Sequence, residues 1–309
     1  MMTTPWGEIE VSDAHIHFLS PAFFRSLAEQ KGVADVGPLL AWEIPESSEY
    51  LADRWALELD CHNVQSAMLI ASIPGDVDSV GIALERRPDR FHAIAMMNPM
   101  THGADIRCAG ALQDRQINGI FLFPAMHRYS MHDTHVHSLL TVVSGFPDTV
   151  VYVHCGMLSV GFRKKLGLTS QFDMRFSNPI DLHALALAFP KLPFVIPHFG
   201  AGYLREALMV AELCPNIYFD TSSSNRWMQC EPAAIDLPAV FRRALDVLGP
   251  KRLLFGSDSS FFPRGWVGGI LSDQVAALQT IGIDSDAARN IFGANLRRLL
   301  NFGDRLLNP

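Results

Sequence analysis

The chain is poor in several features that would each have pointed somewhere. Its five cysteines, Cys61, Cys108, Cys155, Cys214 and Cys230, are scattered and form no CxxC pair. That usage argues against a disulfide framework or a zinc ribbon, and fits a protein kept reduced in the cytoplasm. Basic residues are too few for a general nucleic-acid binder: 25 Lys and Arg stand against 32 Asp and Glu, a formal charge of −7. No apolar run is long enough to span a bilayer, and the opening MMTTPWGEIE lacks the basic start and apolar stretch of a signal peptide. Internal repeats, low-complexity tracts and an interdomain linker are also missing, so one domain over residues 1–309 is expected.

What is present is apolar sequence in a strict rhythm. With 309 residues, 49% of them apolar, the chain can bury a large core. Apolar runs of strand length fall at 8–17, 66–72, 91–97, 117–123, 150–154, 194–198, 217–220 and 253–258. Segments of helical pattern separate them, the first opening at Ser20-Pro21 and stopping at Gly32, the last covering 232–248. Strands that are continuously apolar are covered on both faces, as in a parallel sheet. Repeated β/α alternation over this length implies an α/β fold, a (β/α)8 TIM barrel, with a doubly wound sheet as the alternative. Residues 33–45, containing Gly37-Pro38, read as an insertion on the face that carries His15 and His17.

In a barrel, functional groups belong at the C-terminal strand ends. The first strand ends in DAHIH, and residues two apart on a strand share a face, which would project Asp13, His15 and His17 together. The fifth ends in His154, the sixth in His198 and the eighth in Asp258. A histidine closing one apolar strand is more often a satisfied core or turn residue. Several such ends meeting at one mouth reverse that reading.

The stretches DAHIH, VHCG, IPHFGAG, FGSD and IFGANLRRLL resemble the amidohydrolase superfamily. Within it they are most similar to the amidohydrolase-related branch of aminocarboxymuconate semialdehyde decarboxylase and related aromatic-acid decarboxylases and hydrolases. The likeness runs from the first strand almost to residue 300. It implies one divalent metal ion, zinc foremost and manganese second, bound by His15, His17, His154 and Asp258. It also implies that His198 polarises substrate or holds the attacking water, that Asp258 takes the proton, and that Asp13 orients a histidine from outside. Imidazole and carboxylate donors suit these ions on chemical grounds as well. Dinuclear members carry a bridging lysine in a pattern like GIKLHP, whereas residues 119–124 read GIFLFP. Phe121 and Phe123 cannot bind metal, so a single ion is expected. Family members are often dimers, which makes a homodimer the expected assembly.

Residues 133–137, DTHVH, repeat the first motif but open a helical pattern, where residues two apart diverge by about 200°. Asp133 or Ser130 is expected to cap that helix, with its histidines at the surface. A loop ligand from His127, His132 or His135 is the alternative. Cys155, beside His154, reads as a small buried residue rather than a nucleophile.

The loop RKKLGLTSQFDMR gathers Arg163, Lys164, Lys165 and Arg175 against Asp173, while Arg226 and Arg264 follow the seventh and eighth strands. Arginine forks match carboxylates, so at least one of Arg175, Arg226 and Arg264 is expected to bind a small anionic substrate; solvated ion pairs are the bland alternative for each. Trp227, Phe261, Phe262 and Trp266 would form an apolar wall for a ring, or pack at the core edge. Asp220, in YFDTSSS, reads as turn chemistry ahead of a site contact.

The expected function is a metal-dependent hydrolase that acts on a small carboxylated substrate through an activated water. Non-oxidative decarboxylation of an aromatic or unsaturated acid is the alternative, because both chemistries use the same ligands. A non-catalytic ligand-binding barrel comes third, since buried histidines and a carboxylate need a partner to offset their desolvation.

Overall fold

Strands that are apolar throughout must be covered on both faces, and in the computed structural model the sheet achieves this by closing on itself. Residues 1–158, 160–170, 172–223 and 225–300 are described. A short antiparallel hairpin, β1 (Met2–Thr4) and β2 (Gly7–Ile9), comes first. The barrel strands follow: β3 (Val11–Phe18), β4 (Val64–Ala71), β5 (Phe91–Met97), β6 (Gly119–Leu122), β7 (Val150–Val153), β8 (Phe194–Ile196), β9 (Ile217–Asp220) and β10 (Leu253–Leu254). These eight form one sheet in chain order. Every pairing in it is parallel.

The last strand meets the first through backbone bonds beyond the end of β10. Ala14 N donates to Phe255 O at 2.8 Å, Asp258 N to His15 O at 3.0 Å and His17 N to Ser259 O at 2.8 Å. The fold is therefore the expected (β/α)8 barrel. Met68, Ile70, Ile94, Met96, Phe121, Tyr152, Val195 and Leu254 fill its interior. Alternate residues such as Leu69, Ala95, Ile120 and Val151 face the surrounding helices in a second, larger core.

The helices start and stop where local chemistry dictates. Ser20 Oγ accepts the Phe23 amide at 3.2 Å, Pro21 opens the helix Pro21–Lys31, and Gly32 closes it at φ 73°. The hairpin is an addition to what the sequence led us to expect; it docks on the C-terminal helical segment as Trp6 Nε1 donates to Ile283 O at 2.9 Å. No helix among the described residues is long and apolar enough to cross a membrane.

Two departures from regular strand geometry shape the mouth. Between Asp13 and Ile16 the β3 register against β4 slips by one residue: Asp13 pairs with Ala67, yet Ile16 pairs with Leu69. Such a bulge turns the side chains after it to the opposite face from the one simple alternation predicts. Asp13 thus faces outward with Ala67, while His17, paired with Ile70, faces inward. The expected common projection of Asp13, His15 and His17 is corrected accordingly. The sixth strand also ends earlier than its apolar run, because the chain enters the left-handed region at His198 (φ 58°); beyond β10, which ends at Leu254, the chain enters that region at Asp258 (φ 57°).

A third apolar cluster sits apart from both cores. It joins Phe23, Phe24 and Leu27 of the first helix to Val36 and Leu40 of the 33–45 insertion and to Leu166. Trp42 stacks on Phe261 with ring centres 4.0 Å apart. Phe162, which opens the basic loop, packs edge-on to both Phe23 and Trp42. The loops after the first, fifth and eighth barrel strands are therefore tied together in one cover.

Candidate active site

Strand ends that converge must bring their side chains within reach of one another, and β3 and the segment after β10 do so. His15 Nε2 and His17 Nε2 lie 3.3 Å apart. Asp258 Oδ1 is 3.7 Å from the first and 3.5 Å from the second. These are the groups among the described residues whose donor atoms cluster closely enough to hold a metal ion. Gly256 lets the eighth segment pass so near, because a Cβ there would fall 2.8 Å from Asp220 Oδ1 and 2.9 Å from His15 Cβ. Replacing it with any other residue would push this segment off β3.

Each imidazole is held from behind. His15 Nδ1 meets Asp220 Oδ2 at 2.5 Å, and a carboxylate can only accept, so the proton sits on Nδ1 and Nε2 is bare. His17 Nδ1 lies 2.8 Å from Ser72 Oγ, whose own proton goes to Ile70 O at 3.1 Å, which again leaves Nε2 bare. Burial holds the His15 pKa down at about 3, and holds that of His17 well below its usual value, helped by repulsion from His15 and His198. Both rings are therefore neutral near pH 7. Desolvation, together with the charge of Asp220, lifts Asp258 to about 7 even though 36% of its side chain is accessible, while Arg264 pulls it back.

The remaining expected residues fall into place unevenly. His198 sits beside the trio, its ring centre 5.0 Å from that of His15 and its Nδ1 2.8 Å from Ser222 Oγ. His154 is buried and stacks on Phe123 with centres 5.4 Å apart, but it is not part of the close donor cluster. Its Nδ1 has no hydrogen-bond partner. Asp13 contacts no imidazole. Its carboxylate accepts the amides of His15 (2.9 Å) and Ser257 (3.0 Å) and the Trp266 indole N–H (2.7 Å), which laces the first strand to the eighth. Phe121, in the position of the bridging lysine of dinuclear members, is fully buried against the His15 ring.

Of the three arginines, Arg264 alone contacts the cluster among the described residues. Its Nη2 donates to Ser260 Oγ at 2.8 Å and reaches Asp258 O at 3.4 Å, with the guanidinium 4.5 Å over the Phe261 ring. Arg175 is 83% exposed and engages its neighbour Asp173, whose pKa it holds at about 2. Arg226 is exposed on the turn Arg226–Cys230. Trp227, Phe262 and Trp266 belong to the main core, so of the expected aromatic wall only Phe261 lies in the cover.

The repeated motif behaves as a helix start. Asp133 caps the helix Thr134–Ser144 by accepting the His135 amide at 2.9 Å, and His135 is exposed. The reading missed Ser72 and Ser222, and it ranked Asp220 as turn chemistry. Asp220 does accept the Ser222 amide at 2.6 Å, but its second oxygen takes His15. The available signal was its place at the end of a barrel strand.

Fold and site together define a class: a (β/α)8 barrel with a histidine and carboxylate cluster at the C-terminal mouth. More particularly, the chain belongs to the amidohydrolase family, whose model matches residues 18–302. A probable 2-pyrone-4,6-dicarboxylic acid hydrolase from Acinetobacter baumannii, solved with citric acid bound, is 16% identical at a TM-score of 0.60, covering 95% of this chain and 100% of that one. A 5-carboxyvanillate decarboxylase from Novosphingobium aromaticivorans, solved with manganese and 3-methoxy-4-hydroxy-5-nitrobenzoic acid, is 14% identical at 0.62, covering 98% and 100%. At these identities the likeness is one of fold. Protein fluG of Emericella nidulans is 31% identical over 88 residues, 28% of this chain and 10% of that protein. The match spans about a tenth of that relative's length.

Proposed function

We propose that this chain is a metal-dependent hydrolase acting on a small carboxylated molecule, with one divalent ion held by His15, His17 and Asp258. The observation that carries the reading is the spacing of the two bare Nε2 atoms, 3.3 Å. Two lone pairs at that separation repel each other unless a cation lies between them. Zinc–nitrogen bonds of about 2.0–2.1 Å at a tetrahedral angle would set the nitrogens about 3.3 Å apart, so the donors fit zinc. Manganese, found in the decarboxylase relative, is the second candidate. His154, whose buried Nδ1 lacks a partner, is the proposed fourth donor. An ion bound there would supply a lowered water pKa and polarisation of a substrate oxygen.

The chain's own residues do the rest. Asp258, the carboxylate set across from the two bare imidazole nitrogens, is suited to take a proton from the attacking water and hand it to the leaving group. Asp220 and Ser72 keep the two ligating rings in the required tautomer. Arg264 is the arginine best placed to take a substrate carboxylate, whereas Arg175 would first have to release Asp173. Arg226 is a third candidate for that carboxylate. The unpaired state of all five cysteines supports a cytoplasmic setting.

A second reading, non-oxidative decarboxylation of an aromatic acid, is favoured by the rings of Phe121 and Phe123, whose centres lie 4.2 Å apart beside His15 and His154. The test is to reconstitute the protein with zinc or manganese and to assay carboxylated lactones for ring opening and carboxylated phenols for CO2 release. Ring opening supports hydrolysis and CO2 release alone supports the second reading. Turnover unaffected by removal of the ion would overturn both.

A further inference from the structure

The bulge in β3 inserts one peptide beyond what the ladder with β4 can pair. Asp13 pairs with Ala67 and Ile16 with Leu69, so Ala14 and His15 together stand opposite Met68. The extra unit is the peptide that joins Ala14 to His15. Buried backbone groups need partners, and two side chains supply them here. The His15 amide donates to Asp13 Oδ1 at 2.9 Å, on the outer side of the strand. The Ala14 carbonyl accepts the Tyr152 hydroxyl at 3.1 Å, inside the barrel.

Tyr152 reaches that carbonyl from across the barrel. It lies on β7, paired with Phe121 and Val195, and is fully buried among the side chains that fill the interior. Its ring centre is 6.5 Å from that of His15. A buried phenol needs an acceptor and a carbonyl outside the ladder needs a donor, so each satisfies the other. The direction of the histidines follows from register. A strand continued from Asp13 without the extra residue would set His15 opposite Leu69 and His17 opposite Ala71, two residues that face the surrounding helices. Both histidines point into the mouth because the extra peptide is there.

We propose that Tyr152 is a positioning residue: its hydroxyl holds the peptide between Ala14 and His15 in the bulge, and the bulge keeps His15 and His17 turned into the barrel mouth. The consequence for metal binding rests on the reading of those two histidines as ligands. Tyr152→Phe fills the same space and removes only the donor, which leaves a buried carbonyl without its partner. The peptide is then free to turn that carbonyl back toward the ladder, and the register that aims the two rings goes with it. In this role Tyr152 touches neither substrate nor ion; it acts through the backbone of β3.

The experiment pairs crystal structures of metal-free wild type and Tyr152→Phe with zinc titrations of both against a competing chelator. Wild type is expected to keep the hydroxyl on Ala14 O and the two Nε2 atoms about 3.3 Å apart. In Tyr152→Phe the Ala14 carbonyl should leave the interior, the two rings should separate, and zinc should bind about 10–100-fold more weakly. Asp133→Ala, which weakens a helix cap far from β3, serves as the control for lost stability alone and should bind zinc as wild type does. A Tyr152→Phe structure that retains the bulge and the ring pairing, or a zinc affinity equal to that of wild type, overturns the inference. If Tyr152→Phe does not fold, the wild-type structure decides, and a hydroxyl bonded anywhere but to Ala14 O sinks it. Should wild type bind neither zinc nor manganese, the proposed metal centre falls while the metal-free structures still judge Tyr152, so the two ideas fail separately.

Discussion

Residues 13–17 and 133–137 carry the same pattern, Asp-x-His-x-His, and put it to opposite uses. On β3 the two histidines stand with their Nε2 atoms 3.3 Å apart, with Asp258 across from them. At the start of the helix Thr134–Ser144, His135 bonds back to its own cap, Asp133, and His137 packs on Phe189 at the surface. Backbone period accounts for the difference: a strand returns to the same face every two residues, whereas a helix turns about 200° in that interval. The aspartates differ as much as the histidines. Asp133 satisfies one turn of helix, while Asp13 satisfies three donors from two strands and a buried indole. A motif therefore acquires its chemistry from the element that displays it and from what that element faces.

The sharpest test of this contrast removes the third donor, which only the strand motif has. Asp258→Asn should lower turnover by about a thousandfold or more while leaving the fold intact, checked by steady-state kinetics beside thermal melting. Equal activity in the variant would mean the strand motif serves some other chemistry. Next in size is the contrast between the aspartates. Asp13→Ala strands three buried donors at about 1–3 kcal/mol each, against roughly 1 kcal/mol for the lost cap in Asp133→Ala. Denaturant midpoints should separate the two variants clearly, and equal losses would erase the distinction drawn here.

A smaller effect follows from protonation. His15 (about 3) and His17 are already neutral near pH 7, so no proton competes with a metal there. Asp258, raised to about 7, keeps its proton below that pH, and a bound ion must displace it. Zinc affinity should accordingly fall about tenfold per unit as pH drops below 7 and level off above it. Chelator-competition titrations across that range would show it, and a flat profile would remove Asp258 from the ligand set. Smallest of all, His137→Ala should leave both metal content and turnover near wild type; a dead but stable variant would relocate the site to the helix.

Much of the architecture was legible in the sequence because it is written in local period. The runs 91–97 and 217–220 fold as β5 and β9 with the expected bounds, and Ser20 and Gly32 bracket their helix. Long-range geometry was less so. The one-residue bulge in β3 depends on pairing with β4, and it turned Asp13 away from His15 and His17. The left-handed turn at His198 shortens a strand whose apolar composition runs on. Arg175 looked free to meet substrate, but Asp173, two residues away, engages it first. Asp220 combines turn and site contacts, and only its distance to His15, across 205 positions of sequence, reveals the second.

The central claim, that strand display makes DAHIH half of a metal site, is tested most directly by elemental analysis of purified wild type beside His15→Ala/His17→Ala. The account expects about one zinc or manganese per chain in wild type, lost from the variant. A wild-type protein that carries no metal and turns over substrate in the presence of chelator would contradict it.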